Sequence, residues 1–463
     1  MSAEAAGDYD VVILGGGSGG YACALRSAQL GLTVALVEKG ELGGTCLHRG
    51  CIPTKALLHA AEVADTARDG AQFGVKTTFE SIDMAGVHSY KDRVVSRLHK
   101  GLQGLVKSGG IDYIEGTGAL DGPHTVVVGD RRLTGRNVVL ATGSYAKSLP
   151  GLEIGGRIIT SNEAIRLDEV PGSVIVLGGG VIGVELASVF TSFGADVTVV
   201  EALPRLVPIE DEFCSKQLER AFRRRKIKFK TGVKFTGARQ SEQSVTVSLE
   251  SGEELEADYL LVAVGRGPNT ANAGFEEAGV TMERGFVLTD DRLRTNLKDV
   301  YALGDIVPGL QLAHRGFAQG IFLAEEIAGL KPPVIDEVGI PRVTYCEPEV
   351  ASVGLTEAQA KERYGEVQTL TYDLAGNGKS QILQTQGGIK LVKTGAQGTP
   401  GPVVGIHMVG ARVGELIGEA QLVYNWDAQA EDVAALVHAH PTQNEAFGEA
   451  HLALAGKPLH SHS

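Results

Sequence analysis

Aromatic residues are scarce in this chain: Phe, Trp and Tyr make up 5% of 463 residues, with a single Trp. That leaves no platform on which nucleic-acid bases could stack. Positive charge is also short. Forty-three Lys and Arg stand against 56 Asp and Glu, a formal net charge of −13, which argues against a general binder of nucleic acid or of acidic membrane surfaces. No apolar run approaches the roughly 20 residues that span a bilayer. The segment from Met1 to Asp10 has neither a basic start nor an apolar stretch, so no secretory leader is read and a cytoplasmic, reducing setting is expected. Only five cysteines are present, and Cys23, Cys214 and Cys346 are scattered singly. A structural zinc site wants a second ligand pair elsewhere in the chain, so no metal is expected.

Glycine, by contrast, is plentiful at 62 residues, and it clusters in short turns. The first cluster follows an apolar strand candidate, Asp10 to Leu14. Gly15, Gly17 and Gly20 hold the G-x-G-x-x-G spacing, a helical segment (Tyr21 to Leu30) follows, and a second strand, Thr33 to Val37, ends at Glu38. The glycines permit a tight turn and close approach to a pyrophosphate. The helix N-terminus favours its charge, and the carboxylate can bind a ribose 2′-OH. The arrangement recurs at Gly178, Gly180 and Gly183, followed by a strand from Asp196 to Val200 that ends at Glu201. In both copies the acid lies 23 positions after the first glycine. Each copy is followed by a further strand ending in a turn, Asn137 to Ser144 and Tyr259 to Arg266. Two dinucleotide folds are therefore expected. A carboxylate at Glu201 suits a 2′-OH and repels a 2′-phosphate, so the second site should prefer NAD to NADP. The basic run Arg223 to Lys230 is read as a solvated helix-to-strand face.

Between the two copies lies G-G-T-C-L-H-R-G-C-I-P-T-K, which carries Cys46 and Cys51. Two thiols at this spacing, just before a helix-compatible run, can close a small disulfide. A helix N-terminus favours thiolate and makes such a bridge easy to reduce. In a reducing compartment the pair reads as redox-active rather than structural, and its position after the first fingerprint places a flavin within reach. Farther on, Val300 to Leu303 is a strand candidate ending at Gly304 and Asp305, where the Asp can accept from a ribityl hydroxyl or simply close a turn. From about Pro341 strand-like segments alternate with amphipathic helices, notably Gly414 to Trp426, which suggests a separate α+β domain. Its end reads H-A-H-P-T-Q-N-E. His440 precedes a proline, and Glu445 lies near a helix start marked by Thr442. A Glu bonded to a His fixes its tautomer and raises its basicity; a surface His beside a helix-start Glu is the plain alternative. His438 competes but has no such acidic neighbour in the local sequence.

These motifs together resemble the flavin-dependent pyridine nucleotide–disulfide oxidoreductases, and among them the dihydrolipoyl dehydrogenases, from about Tyr9 to Leu459. The resemblance implies an α/β protein with two Rossmann-like dinucleotide-binding domains, for FAD and NAD, plus a C-terminal α+β dimerisation domain. The expected boundaries are 1–150 for the FAD-binding domain with the disulfide, 151–278 for the NAD-binding domain, 279–340 for the second part of the FAD-binding domain, and 341–463 for the interface domain. It assigns Cys46 to exchange with substrate and Cys51 to the flavin side, Lys55 to a place near the flavin with Glu185 as its carboxylate partner, and His440 with Glu445 to acid–base work from the other subunit of a two-fold dimer. It adds Glu38, Lys39, Thr45, Gly118, Thr142, Gly143, Ser144, Asp305 and Ala313 to the FAD contacts, and Gly265 to the nucleotide turns.

The implied activity is oxidation of protein-bound dihydrolipoamide with reduction of NAD, the lipoyl group coming from an acyltransferase partner in a 2-oxo acid dehydrogenase complex. This chain departs from many relatives at His48 and Arg49, between the cysteines, and at Gln443 and Asn444. Charge at His48 or Arg49 could favour thiolate, although both are expected to face solvent. Two other readings stay open: a reductase of another disulfide such as mycothiol disulfide, or a mainly structural subunit of a dehydrogenase assembly. Arg in place of Glu201 would be usual for glutathione-type reductases, and no cysteine pair follows Cys346 as mercuric reductases require.

Overall fold

The computed structural model describes residues 8–460. The leader expectation therefore rests largely on residues outside the described ones. The chain divides into two compact units, Met1–Leu57, Ala85–Lys147 and Gly265–Ile335 in the first, and Leu58–Met84, Ser148–Val264 and Asp336–Ser463 in the second.

In the first unit the strand Tyr9–Leu14 lies at the centre of a parallel sheet. Val34–Glu38 and then Asp112–Glu115 flank it on one side, and Arg131–Leu140 and Val300–Ala302 on the other. Val11, Val12 and Ile13 are completely buried, as a sheet covered on both faces requires. The register pairs Leu14 with Val37 and with Leu140, so three strand ends come level where the glycine turns begin. Arg131–Leu140 starts earlier than the sequence suggests because its first half pairs antiparallel with Thr125–Val128 in a small meander. The helix Ser18–Gln29 packs on Ala313–Ile327 through glycines; a Cβ on Gly320 would stand 2.4 Å from the Gly19 carbonyl oxygen.

The second unit repeats the plan. Its parallel sheet runs Lys228–Thr231, Asp196–Glu201, Ser173–Leu177, Tyr259–Val262, Ile158–Thr160, and a three-stranded antiparallel meander spans Phe235–Ala257. The same unit holds a five-stranded antiparallel sheet in the order Arg342–Thr344, Glu349–Gly354, Val403–Gly410, Gly388–Thr394, Val367–Asp373. The helices Val413–Asn425 and Glu445–Leu454 close its core around Phe447, Ile406 and Met408.

The basic run is solvated only in part. Arg223 and Arg224 are exposed, but Arg225 turns inward and donates to Ser188 Oγ at 2.5 Å, Ser192 Oγ at 2.7 Å and the Glu347 carbonyl at 3.0 Å. Its guanidinium satisfies polar groups that the packing of neighbouring elements buries, which no local pattern reveals.

Candidate active site

The two fingerprints build the same local structure. Gly15 has φ +114°, and a Cβ there would lie 2.2 Å from the Ala141 oxygen; Gly178 has φ +112° and would meet the Ala263 oxygen at 2.3 Å. A Cβ on Gly20 or Gly183 would fall within 2 Å of the Gly15 or Gly178 oxygen respectively. Only glycine allows this helix–strand approach. The helices Ser18–Gln29 and Val181–Phe193 begin at Gly17 and Gly180 with no side-chain cap. Their first N–H groups are thus presented outward, where the helix dipole favours an anion.

The acids match as well. Glu38 accepts from Gly16 N and Gly40 N, each at 2.7 Å, and Glu201 from Gly179 N at 2.6 Å and Leu203 N at 2.7 Å. Each carboxylate is held at the end of its strand by one N–H per oxygen, which leaves further lone pairs for ribose hydroxyls. Lys39 is exposed beside Glu38.

The redox segment is tied to the first fingerprint. Gly43 N donates to the Gly16 oxygen at 2.9 Å, and Gly44, at φ +58°, sits so close that its Cβ would be 2.8 Å from Gly17 Cα. This contact places Thr45 and Cys46 on the short helix Gly44–His48, while Cys51 opens the helix Cys51–Asp69, which also carries Lys55. Both cysteines are thiols and are partly buried. A hydrogen bond to Cys51 pushes the Cys46 thiol far up, with burial and the charge of Cys51 adding, whereas Lys55 and Ser18 pull it down. Two anions are disfavoured in so small a space, so the reduced pair keeps one proton. Burial, and then the charges of Cys46 and Cys51, push the Tyr21 phenol up to about 12, so Tyr21 is a neutral neighbour of the thiol pair that the motif reading missed. Cys23, Cys214 and Cys346 are buried, and burial raises each thiol.

Beside this lies a polar chain. Ser144 donates from Oγ to Asp305 Oδ2 and accepts from Arg266 Nε at 2.7 Å, and Arg266 also donates to the Ser144 carbonyl at 2.8 Å. Arg266 was not among the sequence candidates; it follows Gly265, which has φ +108°, and its partner strand Ser144–Ala146 is distant in sequence. Gln319 and Arg315 anchor the Gly304–Asp305 turn from the helix Ala313–Ile327, through Gly304 N at 2.7 Å and Gly304 O at 3.3 Å. That helix begins at Ala313, again with no side-chain cap. Thr142 Oγ1 is buried with no hydrogen-bond partner, an orphan that a bound ligand would satisfy. Gly118 packs on Leu14 and Val37 beneath the sheet.

In the second unit Glu185 is buried on Val181–Phe193 and accepts from Tyr345 N at 2.9 Å. His440 Nδ1 lies 2.8 and 2.9 Å from the two Glu445 carboxylate oxygens, and Thr442 Oγ1 accepts from Glu445 N at 3.1 Å. The His440 side chain is 69% exposed while Glu445 is 16% exposed, so a sheltered carboxylate holds a presented imidazole. His438 is not without an acid, as the local sequence suggested. Its Nε2 lies 3.0 Å from Glu419 Oε1, 19 residues earlier in the chain, and the side chain is 8% exposed. The hydrogen bond to Glu419 raises its pKa, and its burial removes it from contest as a base for an external substrate. Gln443 joins Ser380 and the Ala411 carbonyl, and Asn444 donates to Glu419, so both departures serve packing. Arg49 is exposed as expected, but the His48 side chain is only 6% exposed: Leu42, on the turn that follows Glu38, draws its ring inward by accepting from Nε2 at 2.9 Å.

Two dinucleotide folds, the first bearing a thiol pair against its glycine loop, define a nucleotide-dependent thiol–disulfide oxidoreductase. Residues 9–320 match the family described as pyridine nucleotide-disulphide oxidoreductase, and residues 340–451 match its dimerisation domain. The chain is 41% identical to a dihydrolipoyl dehydrogenase of Bacillus subtilis over 98% of this chain and 99% of the relative. It is 39% identical to a mitochondrial dihydrolipoyl dehydrogenase of Pisum sativum, over 99% and 94% respectively. The solved structure of LpdA from Mycobacterium tuberculosis shares the fold, with a TM-score of 0.88 at 24% identity over 96% of this chain and 99% of that one. The chain belongs to the pyridine nucleotide-disulphide oxidoreductase family. It is an oxidoreductase that uses FAD and NAD. The residues present fit both groups, on the uncapped helix starts, the glycine cradles, the two anchored glutamates and the orphaned Thr142 hydroxyl.

Proposed function

We propose that the protein oxidises a protein-borne dihydrolipoyl group to lipoyl and reduces NAD, as the dihydrolipoyl dehydrogenase component of 2-oxo acid dehydrogenase complexes in the cytoplasm. The observation that carries the reading is the exposed His440 imidazole gripped by Glu445, because a dithiol substrate needs a base to form its attacking thiolate. Identity of about two residues in five to enzymes of that name along the whole chain supports it. The match to a dimerisation domain, with exposed Trp426, Leu436 and Val437 in the same region, supports a homodimer in which His440 of one copy serves the thiols of the other. No helix among the described residues is long and apolar enough to cross a membrane. The four-segment division at 150, 278 and 340 remains our proposal for how the work is shared.

In the oxidised enzyme Cys46 and Cys51 form the disulfide. Glu445 accepts from His440 Nδ1–H, so Nε2 carries the lone pair and takes the proton of the first substrate thiol. The substrate thiolate attacks Cys46 Sγ, and Cys51 leaves as thiolate. The second substrate thiol attacks the mixed disulfide, lipoyl disulfide is released, and the enzyme holds a dithiol bearing one fewer proton than two thiols, with that proton on His440. The high proton affinity of Cys46 beside Cys51 suits this single-anion state. Bound FAD and NAD supply the two-electron path from dithiol to nicotinamide. Glu38, Lys39, Thr45, Lys55, Gly118, the Thr142–Ser144 turn, Asp305 and Ala313 are proposed to hold FAD. The Gly178–Gly183 turn, Glu201 and Gly265 are proposed to serve the NAD side.

The test is NAD reduction by dihydrolipoamide, with NADP in parallel. Rapid turnover with NAD alone is expected. No turnover, in a protein whose flavin NADH still reduces, would move the substrate to another disulfide, with mycothiol disulfide next. A subunit with a purely structural role would show neither activity. His440→Gln should lower dihydrolipoamide turnover by roughly 10²–10⁴-fold, the usual worth of a general base, while NADH oxidation by dyes that bypass the disulfide persists. Equal loss of both would sink the assignment.

A further inference from the structure

His48, Glu41 and His99 are brought together by the fold, not by any local motif. His48 ends the short helix that carries Cys46, Glu41 lies on the preceding turn, and His99 stands on the long helix Met84–Ser108. One ligand atom from each lies within 4.8 Å of the others. The two imidazoles meet edge to face, with centroids 4.8 Å apart and planes at 88°.

The tautomer of His48 follows from its surroundings. A carbonyl can only accept, so the 2.9 Å contact with Leu42 O puts a proton on Nε2. A neutral ring then turns the Nδ1 lone pair toward Glu41 Oε2, 3.4 Å away. Two acceptors facing each other need a cation between them, either a proton or a metal. Donors bound to a tetrahedral zinc at about 2.0–2.2 Å stand about 3.4 Å apart, the spacing of the His48 and Glu41 atoms; the His99 donor lies within 4.8 Å of both and closes on the ion by side-chain rotation. The backbone carbonyl that fixes the far nitrogen is the usual outer-sphere support of a metal-bound histidine.

We propose that Glu41, His48 and His99 form a binding site for a zinc-like divalent cation, with one coordination position open to solvent. Two imidazoles and one carboxylate suit zinc and its neighbours rather than calcium or magnesium. The site lies two residues from Cys46 on the same helix turn, so occupancy joins that turn to the helix Met84–Ser108 and places positive charge beside the redox pair. The inference does not depend on the identity of the disulfide substrate.

The FAD-loaded enzyme is oxidised first, so that Cys46 and Cys51 offer no thiolates, and is then titrated with Zn²⁺ against a chromophoric chelator. One zinc per chain is expected. Glu41→Gln and His99→Gln should each weaken it by at least roughly tenfold, since even outer-sphere changes cost 10–100-fold. His440→Gln and His59→Gln, the latter at an exposed histidine beside Glu62, should leave it unchanged. His99→Gln must retain its flavin spectrum and melting temperature; should it fail to fold, Glu41→Gln, on an exposed side chain, carries the test. No zinc bound to oxidised enzyme would overturn the proposal and leave a protonated His48 paired with Glu41. Loss in His440→Gln with retention in both Glu41→Gln and His99→Gln would overturn it too, by placing the metal at the acid–base pair.

Discussion

The two nucleotide folds of this chain are nearly the same object up to the acid that ends the second strand, and different objects after it. Gly15 and Gly178 share a left-handed backbone and a carbonyl ceiling, and Glu38 and Glu201 each take two backbone N–H groups. Beyond Glu38 the chain runs through Gly43 and Gly44 back against the glycine loop and delivers the redox helix. Beyond Glu201 it runs through a loop in which Arg205 is occupied by the carbonyls of Pro208 and Glu210, and then enters the helix Glu212–Arg224. The third strand also diverges at its end: A-T-G-S in the first fold stands where the second has A-V-G-R. The scaffold is thus shared, and the segment after the acid is what places a thiol pair beside the first glycine loop and the helix Glu212–Arg224 after the second.

The comparison breaks most sharply at the first glycines. Gly15→Val should yield protein without flavin absorbance, because a side chain in a left-handed position costs about 1–3 kcal/mol before any clash is counted. Gly178→Val should keep its flavin and accept electrons from dihydrolipoamide, yet lose NAD reduction by roughly a hundredfold or more, as the same strain falls on the second site. Loss of flavin in both variants would show that the two folds do not act separately.

A smaller effect is expected at the acids. Glu201→Gln removes a charge-assisted hydrogen bond worth about 1.5–3 kcal/mol. The KM for NAD should therefore rise by roughly tenfold or more and the discrimination against NADP narrow, as initial rates with both nucleotides would reveal. Glu38→Gln should instead weaken flavin retention and leave the nucleotide preference alone.

The smallest effect is expected at Thr142. Thr142→Val installs the residue of the second fold and removes a buried hydroxyl that has no partner. Flavin-free protein should gain on the order of 1 kcal/mol in urea melts, and the FAD-loaded enzyme should gain nothing or lose. Equal gain in both forms would mean that the hydroxyl never meets the flavin.

Much of this was legible in the chain. Repeated glycine spacing, the acid at equal offset in each copy, and the thiol pair before a helix are local patterns, set by backbone sterics and helix termini within a few residues. They sufficed to single out the two folds and the thiol pair Cys46 and Cys51, and to bring His440 near Glu445, five residues on across a proline turn; the choice of an acid–base pair over a plain surface His came from the family resemblance. Readings that failed or were missed involve distant partners. His438 finds Glu419, Arg225 finds Ser188 and Glu347, Arg266 finds Ser144, and His48 turns from solvent toward Glu41 and His99.

The sequence by itself therefore determined the two glycine turns, the acids that follow them and the thiol pair before a helix, because those demands fall on consecutive backbone atoms. Only the tertiary structure decided which histidine is presented and which is buried, and which polar groups surround the redox turn. Burial and pairing of a side chain depend on elements that packing brings together from distant parts of the chain, and that packing is set by the whole core rather than by neighbours in sequence.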